Sequence, residues 1–334
     1  MQQEWNVGEL LGVSSGYWRG CALQAAVRLK IFSVLDPTTQ TVEEIAKKAS
    51  TDVRATGLLL DALSAMGLLK KLEFHYTNSD FSTTYLREDS LEYMGHIILH
   101  HHHILDGWAQ LDKAVCTGKK IEKRSYGVDI ERESFLLGMF NLAKGLAPHI
   151  AANIDLSGRK RLLDLGGGPG TYAIHFCQAN PELKAVIFDR LTTEPIAQKV
   201  VNSYALSDRI SFEGGDFNTT SHATESFDVA WLSHILHSNS YDECVQLLQK
   251  TADALIPGGL LLVHDFILNT PKDGPEFPAL FALNMLVGTD KGRSYSDEEI
   301  TSMLQRAGLT AITHHSFRTP NDSSILSAIK PKKQ

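Results

Sequence analysis

Glycines with a regular spacing follow a short apolar run and could bring a ligand close to the backbone. The segment reads Leu163-Asp164-Leu165-Gly166-Gly167-Gly168-Pro169-Gly170-Thr171, the pattern of a strand that runs into a glycine turn and then a helix. Glycine lets the backbone approach a cofactor closely at the carboxyl end of a parallel strand. The spacing G-x-G-x-G, with Thr171 in the sixth position, differs from the G-x-G-x-x-G typical of nicotinamide enzymes. The loop is therefore a candidate cofactor site.

Acidic residues farther along the chain fit the same interpretation. Asp189 stands nineteen residues past Gly170, at the end of the predicted strand Ala185–Phe188, where a carboxylate can bind both hydroxyls of a ribose. That position serves NAD and S-adenosylmethionine equally. Asp216 and Phe217 separate the two cofactors, because Asp216 can accept the adenine amino group while Phe217 covers the ring. The pattern favours S-adenosylmethionine.

From Lys160 onward, short β-rich runs alternate with helical stretches, and these elements must position the residues above. Such alternation predicts an α/β fold with a doubly wound, mainly parallel sheet and helices on both faces. The predicted strands are Arg161–Leu165, Ala185–Phe188, Ile210–Glu213, Asp228–Leu232, Gly259–Phe266, Thr310–Ser316 and Ser324–Ile329.

The first ninety residues are predicted to form helices followed by a short hairpin. Thr41 and Glu44 have the spacing of a capping box that begins a helix, and a second helix is predicted over Val53–Met66. Two short runs within residues 68–77 could pair as a wing, so the pattern predicts a winged-helix-like module. DNA binding would need basic residues on the second helix, but that helix carries only Arg54, and we therefore favour dimerisation.

Residues 91–115 and 131–153 are predicted to form two helices that bridge to the second half of the chain. The first of them contains the run His100-His101-His102-His103. Consecutive residues of a helix point in different directions, so at most one pair of these histidines could share a ligand geometry. We interpret the run as polar residues of a pocket wall or surface, and we predict no metal site.

Composition narrows the classes of function. The chain has 334 residues, 43% of them hydrophobic and 21% charged, which suggests one large globular domain and a smaller one. A net charge of −7 without a dense basic stripe argues against nucleic acid as a partner. No apolar run approaches the roughly 20 residues that span a bilayer, no signal-peptide pattern is present and the four cysteines form no C-x-x-C pair. We expect a cytoplasmic protein with reduced thiols and no membrane partner.

The segments D-x-G-G-G-x-G, F-D, G-G-D-F, F-D-V and P-G-G occur in the order that resembles a class I S-adenosylmethionine-dependent methyltransferase. More closely, residues 12–330 resemble the dimeric small-molecule O-methyltransferases of plants and bacteria. The resemblance implies a Rossmann-like, seven-stranded sheet whose last strand is antiparallel. It implies a winged-helix-like dimerisation domain over 1–90, bridging helices over 91–155 and a catalytic domain over 156–334. It also implies a homodimer that methylates a hydroxyl of a small aromatic molecule.

The resemblance further implies roles for individual residues. His237 would be the general base and Asp265 the carboxylate that orients it. An imidazole suits this task because a phenol, with a pKa of about 10, is mostly protonated at neutral pH. The implied cofactor-binding residues are Asp164, Gly166, Gly168, Gly170, Asp189, Arg190, Asp216, Phe217 and Ser233. The implied acceptor-binding residues are His103, Trp108, His234, Asn284 and Met285.

The segment around the predicted base departs from the family pattern H-D-W-S-D-E-x-C. It reads His237-Ser238-Asn239-Ser240-Tyr241-Asp242-Glu243-Cys244, so the histidine and the cysteine keep their spacing while Asp-Trp becomes Ser-Asn. His234, one helical turn earlier, is a competing base. A second supporting glutamate of the family is replaced by Ser294 or Arg293. Methyl transfer to carbon or nitrogen, and a non-catalytic cofactor-binding or DNA-binding dimer, are therefore alternatives to O-methylation.

Overall fold

The computed structural model describes residues 5–35, 39–315, 319 and 322–332. The chain divides into two units, which we describe separately. The first unit contains residues up to Leu105 together with Ser125–Asn141, and the second contains Asp106–Arg124 together with the residues from Leu142 onward. This division does not fall at the predicted limits of 90 and 155, and the domain boundaries stay a proposal.

The elements up to residue 153 are α1 (Val7–Ser15), α2 (Tyr17–Arg28), α3 (Ile31–Val34), β1 (Gln40–Thr41), α4 (Val42–Ala49), α5 (Val53–Ala65), β2 (Leu69–Leu72), β3 (His75–Asn78), α6 (Asp80–Tyr85), α7 (Gly95–Trp108), α8 (Leu111–Thr117), α9 (Val128–Lys144) and α10 (Ala147–Asn153). The elements that follow are β4 (Arg161–Leu165), α11 (Thr171–Ala179), β5 (Lys184–Asp189), α12 (Glu194–Ser203), β6 (Ile210–Gly214), β7 (Phe227–Ser233), α13 (Tyr241–Ala254), β8 (Leu255–Phe266), α14 (Glu276–Gly288), α15 (Asp297–Arg306), β9 (Thr310–His315) and β10 (Ser323–Ile329).

The first unit has the predicted arrangement of helices and wing. β2 and β3 form an antiparallel hairpin, and β1 pairs with the other side of β3. Thr41 and Glu44 form the predicted capping box at the start of α4. Phe32, Leu60 and Tyr76 are buried together, so the hairpin and the helices share one apolar core. The prediction of a mostly helical, winged-helix-like N-terminal region is confirmed.

The prediction of two continuous bridging helices is wrong, because each is interrupted. α7 ends at Trp108, and Gln110 has a non-helical backbone (φ −118°, ψ 22°) before α8 begins. Pro148 stands in the first turn of α10. Proline has no N–H to donate to the carbonyl of Lys144, so α9 cannot continue through it.

The sheet of the second unit has the strand order β6-β5-β4-β7-β8-β10-β9. β10 is antiparallel to both of its neighbours, which confirms the predicted seven-stranded sheet with an antiparallel last strand. β10 lies between β8 and β9 and not at the edge. The chain runs outward from β4 to β6 and then returns to the other side of β4. Right-handed crossovers therefore place helices on both faces.

Six of the predicted strands match the observed ones to within one residue at each described end. The predicted end of β9, Ser316, lies outside the described residues. β8 differs, because it begins at Leu255 and not at Gly259. Leu255 pairs with Phe227, and the register between β7 and β8 shifts before Val229. Residues 255–258, which lie before the predicted start, are therefore part of an irregular extended strand.

Alternate residues of the central strands pack against helices on opposite faces of the sheet. Trp231 of β7 packs against Tyr172 and Phe176 of α11, with ring centroids 5.1 Å apart in both pairs. Leu232 points to the other face and is buried in a cluster that includes Leu248 of α13. None of the helices in the described ranges has the length and apolar composition that a membrane span requires.

Candidate active site

The carboxyl ends of four strands are aligned by the register of the sheet. Leu165 at the end of β4 lies beside Phe188 of β5 on one side and Leu232 of β7 on the other. Ser233 at the end of β7 lies beside His264 of β8. The loops that follow these strands therefore start at one edge of the sheet, where doubly wound folds bind their ligands.

The glycine loop, residues 166–170, follows β4 in a conformation that requires glycine. Gly166, Gly168 and Gly170 have φ values of 67°, 53° and 81°. A Cβ atom at Gly166 would lie 2.2 Å from Cδ1 of Ile235, and one at Gly170 would lie 2.3 Å from Cδ1 of Ile187. The loop is therefore packed closely against its neighbours, and a larger residue at either position would displace it.

Asp189, at the end of β5, is held against the glycine loop by backbone donors. The N–H of Gly168 donates to Oδ2 of Asp189 at 2.8 Å, and the N–H of Arg190 donates to Oδ1 at 2.6 Å. The hydroxyl of Thr193 lies 3.3 Å from the same Oδ1. Arg190 itself is exposed. The carboxylate is therefore oriented before any ligand arrives.

Asp216 and Phe217 lie in the loop after β6. Asp216 is exposed, and its Oδ1 accepts the N–H of Asn218 at 2.9 Å. The ring of Phe217 lies 3.7 Å from the position of a Cβ on Gly166, so it borders the glycine loop. Nζ of Lys250 donates to the carbonyl of Phe217 at 2.9 Å and fixes this part of the loop.

Asp164 is enclosed beneath the glycine loop. A Cβ on Gly167 would lie 2.6 Å from its Cγ, so the loop closes directly over the carboxyl group. Its Oδ2 lies 3.3 Å from the N–H of Ala173, and its Oδ1 has no hydrogen-bond partner among the described residues. Burial raises the pKa of Asp164 to about 7; the Ala173 hydrogen bond opposes this shift and the charge of Asp189 adds to it.

The predicted base and its carboxylate form a hydrogen-bonded pair. His237 lies in the 3₁₀ turn Leu236–Ser238 after β7, and its Nδ1 is 2.7 Å from Oδ1 of Asp265, close to the end of β8. Because a carboxylate only accepts, Nδ1 carries the proton and Nε2 has the free lone pair. Both side chains are buried, and the N–H groups of His237 and Phe266 also donate to the carboxylate.

The environment of Asp265 keeps this carboxyl ionised. Burial on its own raises the pKa of Asp265, but the neighbouring imidazoles of His237 and His234 together outweigh burial and hold that pKa well below its usual range. A buried carboxylate with a low pKa can stabilise a protonated imidazole beside it. The pair thus has the geometry and the charge of a base with its orienting acid.

His234, the competing base, lies farther from the carboxylate. Its Nδ1 is 3.7 Å from Oδ1 of Asp265, beyond a normal hydrogen bond. Its backbone has a φ of 58°, and its N–H donates to the carbonyl of His264 at 2.8 Å. Asp265 is therefore better placed to orient His237.

Ser233, predicted to bind the cofactor, lies in a buried hydrogen-bonded chain. Its hydroxyl is 2.9 Å from Nδ1 of His264, whose Nε2 is 2.7 Å from the hydroxyl of Ser323 on β10. Burial lowers the pKa of His264 well below its usual value, so this imidazole is neutral. These contacts link the side chains of β7, β8 and β10.

Aromatic rings that the sequence analysis missed surround the two histidines. We call Phe266, Phe277 and Phe281 the phenylalanine cluster. The ring of Phe266 lies 4.4 Å from that of His234 and 4.5 Å from that of Phe281. Phe281 meets the ring of His237 edge-on at 4.8 Å, and Phe277 packs 5.0 Å from Phe266. Two signals were available: Phe266 follows Asp265, and the other two are four residues apart on α14.

Of the predicted acceptor residues, the structure brings Trp108 and Asn284 together. Nε1 of Trp108 donates to Oδ1 of Asn284 at 2.9 Å, and the neighbouring Met285 is buried. His103 belongs to the first unit, where its Nδ1 is 3.0 Å from the hydroxyl of Ser134 and its ring stacks on Tyr126.

The segment in which the family has its second supporting glutamate brings no carboxylate to the base. The hydroxyl of Ser294 donates to the carbonyl of Pro278 at 2.8 Å, and the guanidinium of Arg293 pairs with Glu299 at 2.9 Å. The backbone N–H of Arg293 instead donates to the carbonyl of His237 at 2.8 Å. This segment therefore holds the backbone of His237 and leaves its ring to Asp265.

Comparisons with known protein families match both parts of the chain. A family model of the O-methyltransferase domain matches residues 108–310, and a model of the O-methyltransferase dimerisation domain matches residues 11–88. A tetracenomycin polyketide synthesis 8-O-methyl transferase, TcmO of Streptomyces glaucescens, is 30% identical over 95% of this chain and 96% of its own length.

Two further relatives match the chain over nearly its whole length. A 3-hydroxy-5-methyl-1-naphthoate 3-O-methyltransferase of Streptomyces sahachiroi is 28% identical over 96% of this chain and 94% of its own. An N,N-dimethyltransferase, OxyT of Streptomyces rimosus, is 27% identical over 96% of each chain.

Solved structures share the fold. An O-methyltransferase family protein from Burkholderia thailandensis has a TM-score of 0.87 and 25% identity, over 99% of this chain and 100% of that one. Human N-acetylserotonin methyltransferase, solved in complex with SAM, has a TM-score of 0.86 and 23% identity over the same shares of the two chains.

Proposed function

The chain belongs to the O-methyltransferase family, and from this premise we propose that it methylates a hydroxyl of a small aromatic molecule with His237 as the general base. The observation that carries the proposal is the 2.7 Å contact between His237 and the buried Asp265. This pair lies at the same edge of the sheet as the glycine loop, so one site can hold both a cofactor and an acceptor.

The cofactor of this family is S-adenosylmethionine, and the residues around the glycine loop fit it. When bound, it supplies an electrophilic methyl group on a sulfonium. The glycine loop follows the carboxyl end of β4, where doubly wound folds bind their ligands, and the oriented carboxylate of Asp189 suits a pair of ribose hydroxyls. We assign the adenine to Asp216 and Phe217. Asp164, Arg190 and Ser233 complete the proposed cofactor-binding set.

The role of His237 follows from its free lone pair. Nε2 takes the proton of the acceptor hydroxyl, while Asp265 holds Nδ1–H and stabilises the imidazolium that forms. A positioned base of this kind typically contributes about 10² to 10⁴ in rate. The low pKa of Asp265 means that the carboxylate stays charged throughout and the proton stays on the imidazole.

The walls of the site favour an aromatic acceptor. The phenylalanine cluster lines the histidines with apolar rings, and planar aromatic molecules pack well against such rings. The names of two relatives, a naphthoate and a tetracenomycin O-methyltransferase, support an acceptor with fused aromatic rings. We propose Trp108, His234, Asn284 and Met285 as its other contacts, and the acceptor-binding role of His103 stays a prediction.

We also propose that the protein is a homodimer built largely by residues 12–90. Leu10 and Leu11 on α1 and Tyr17 and Trp18 on α2 are each more than half exposed, which is unusual for so many large apolar residues on adjacent helices. The match to a dimerisation domain supports this role. Light scattering of wild type should give the dimer mass, and Leu11→Glu with Trp18→Glu should give a monomer. A wild-type monomer at micromolar concentration would contradict the proposal.

The unpaired cysteines support a cytoplasmic location. Cys21, Cys116, Cys177 and Cys244 are all free in the structure, and burial raises the pKa of Cys177 and Cys244, which keeps these thiols protonated and unreactive. Reduced thiols of this kind suit a reducing compartment.

Methyl transfer to nitrogen or carbon is the second candidate function. It is favoured by one observation, that Ser294 and Arg293 provide no second carboxylate for the base. The relative OxyT is named as an N,N-dimethyltransferase, which supports the same alternative.

Product analysis separates the two functions. The purified protein would be incubated with S-adenosylmethionine carrying a labelled methyl group and matched acceptors, such as a naphthol, a naphthylamine and a fused-ring polyphenol. We expect label on oxygen and a product whose formation requires His237. Label on nitrogen or carbon, with unchanged turnover in His237→Ala, would replace the proposal by the alternative.

A further inference from the structure

His234, His237 and Asp265, here called the histidine cluster, are arranged like the ligands of a metal ion. Within the part of the chain that the structure describes, their ligand atoms lie within 4.8 Å of one another. From Oδ1 of Asp265, Nδ1 of His237 is at 2.7 Å and Nδ1 of His234 is at 3.7 Å. Ligands of a tetrahedral zinc ion, with bonds of about 2.0–2.2 Å, lie roughly 3.3 Å apart. The two measured separations bracket that spacing.

A second observation points to a missing partner at this place. Nδ1 of His234 is buried and has no hydrogen-bond partner among the described residues. A buried polar atom without a partner is costly, so such atoms often face an ion or a ligand. The imidazole is also held in place, because its ring packs 4.4 Å from Phe266 and 4.6 Å from His264.

The carboxylate is equally well fixed. The N–H of Phe266 donates to Oδ1 of Asp265 at 2.8 Å, and the N–H of His237 lies 3.3 Å from Oδ2. Backbone donors of this kind orient a ligating carboxylate in the way that outer contacts orient metal ligands. Two imidazoles and one carboxylate suit a borderline cation such as Zn²⁺, whereas Mg²⁺ prefers a shell of oxygen ligands.

We propose that the histidine cluster binds a divalent transition-metal cation, with Zn²⁺ as its representative, and that the bound cation inhibits methyl transfer. The cation takes the place of the proton on Nδ1 of His237, between that nitrogen and Asp265. The displaced proton moves to Nε2, so the imidazole stays neutral and no proton is lost. With Nε2 protonated and Nδ1 bound to the cation, His237 has no lone pair for an acceptor hydroxyl.

Binding is tested with the metal alone, on the full-length protein after removal of metals by a chelator. Zn²⁺ affinity is measured by calorimetry, and Co²⁺ is added as a probe because its visible absorption reports a tetrahedral site. We expect binding that weakens by about tenfold or more in His234→Gln and in Asp265→Asn, as loss of a ligand predicts. Far-ultraviolet circular dichroism and thermal melting without metal check that each variant is folded. If one variant does not fold, the other is sufficient to test the binding.

The run His100–His103 provides the matched control, since it could bind cations by itself. His102→Gln should leave the Zn²⁺ affinity and the Co²⁺ spectrum unchanged. Loss of binding in His102→Gln, or full binding in folded His234→Gln and Asp265→Asn, would overturn the proposal.

The inhibition rests on the proposed role of His237, but the binding does not. We expect Zn²⁺ to inhibit methyl transfer by the wild type, Mg²⁺ to have no effect, and the inhibition constant for Zn²⁺ to rise about tenfold in His234→Gln. If the protein fails to methylate hydroxyls, binding to the metal alone is still decided. If it methylates them and Zn²⁺ does not bind at the histidine cluster, only the present proposal fails.

Discussion

The candidate active site has two sides that are organised differently. The glycine-loop side contains residues 166–170 and Asp189, and the histidine side surrounds His237 and Asp265. On the glycine-loop side, backbone groups carry the structure: three glycines with positive φ form the loop, and the N–H groups of Gly168 and Arg190 orient Asp189. On the histidine side, side chains from β8, α14 and the loop after β7 meet around Asp265. The first side comes from the ends of two neighbouring strands, and the second is assembled from three separate segments.

This difference indicates which side sets the chemistry. A backbone N–H is the same whatever residue carries it, so the glycine-loop side can serve one cofactor in relatives with many different acceptors. The histidine side changes with each substitution, as the loss of the family's second glutamate at Ser294 or Arg293 illustrates. We therefore expect variants on the glycine-loop side to alter cofactor affinity, and variants on the histidine side to alter turnover.

The largest effect is expected for His237→Ala. Removal of the base should lower kcat by about 10² to 10⁴, while affinity for S-adenosylmethionine, measured by calorimetry, stays nearly unchanged. Asp265→Asn should give a smaller loss, because it disturbs the tautomer of the imidazole without removing it. If His234→Ala abolished turnover and His237→Ala did not, the base would have been assigned to the wrong histidine.

Asp189→Ala should lower the affinity for the cofactor, whereas His237→Ala lowers turnover. Loss of a carboxylate that binds the ribose hydroxyls should weaken S-adenosylmethionine binding by about 10- to 100-fold, in line with charge-assisted hydrogen bonds. Asp208→Ala removes an exposed carboxylate of the same unit and serves as the control for net charge. Equal affinities of the two variants in calorimetry would mean that Asp189 does not contact the cofactor.

A comparison of Gly166→Ala with Gly308→Ala separates the effect of the loop's geometry from the effect of general backbone strain. The new Cβ would lie 2.2 Å from Ile235, so the loop must shift, and we expect cofactor affinity to fall about tenfold. Gly308→Ala has a similar φ of 79° with no atom within 4 Å of its Cβ. It should lower the melting temperature and leave cofactor affinity unchanged. Similar losses of affinity in both variants would argue against a specific role for the loop.

The free energy of unfolding should depend on pH through the buried carboxyl of Asp164 on the glycine-loop side. The pKa of Asp164 is raised to about 7, so between about pH 4 and pH 7 the folded state holds a proton that the unfolded state has released. The contribution of Asp164 to the free energy of unfolding is therefore present at low pH. It falls by about 1.4 kcal/mol per pH unit as the pH rises through this range. In urea unfolding, Asp164→Asn should gain stability relative to wild type between pH 5 and pH 7. Parallel pH curves would contradict the raised pKa.

Much of the fold could be predicted from local patterns. β4 was predicted at its observed limits, because its apolar run is followed directly by glycines, which favour a turn over a continued strand. The capping box of Thr41 and Glu44 is equally local. The break between α9 and α10 was missed although Pro148 signals it, and the early start of β8 depends on pairing between Leu255 and Phe227, which local patterns do not report.

The candidate site could be predicted only where its residues follow strand ends. Gly168, Asp189, His237 and Asp265 each follow or end a strand, so their convergence comes from parallel pairing alone. The contact between His264 and Ser323 joins residues 59 positions apart, and a strand inserted out of order creates it. The phenylalanine cluster likewise depends on how α14 packs beside β8, which periodicity does not specify.

The position of β10 has a consequence for how the protein is made. β9 leaves the ribosome before β10, yet its place in the sheet lies beyond β10, against which alone it pairs. Until β10 emerges, β8 has an open edge, β9 has no strand to pair with and His264 lacks the hydroxyl of Ser323. Open edges of this kind invite pairing with other chains. A nascent chain therefore exposes this edge from the synthesis of β8 until the arrival of β10, and the hydrogen bond between His264 and Ser323 is among the last contacts to form.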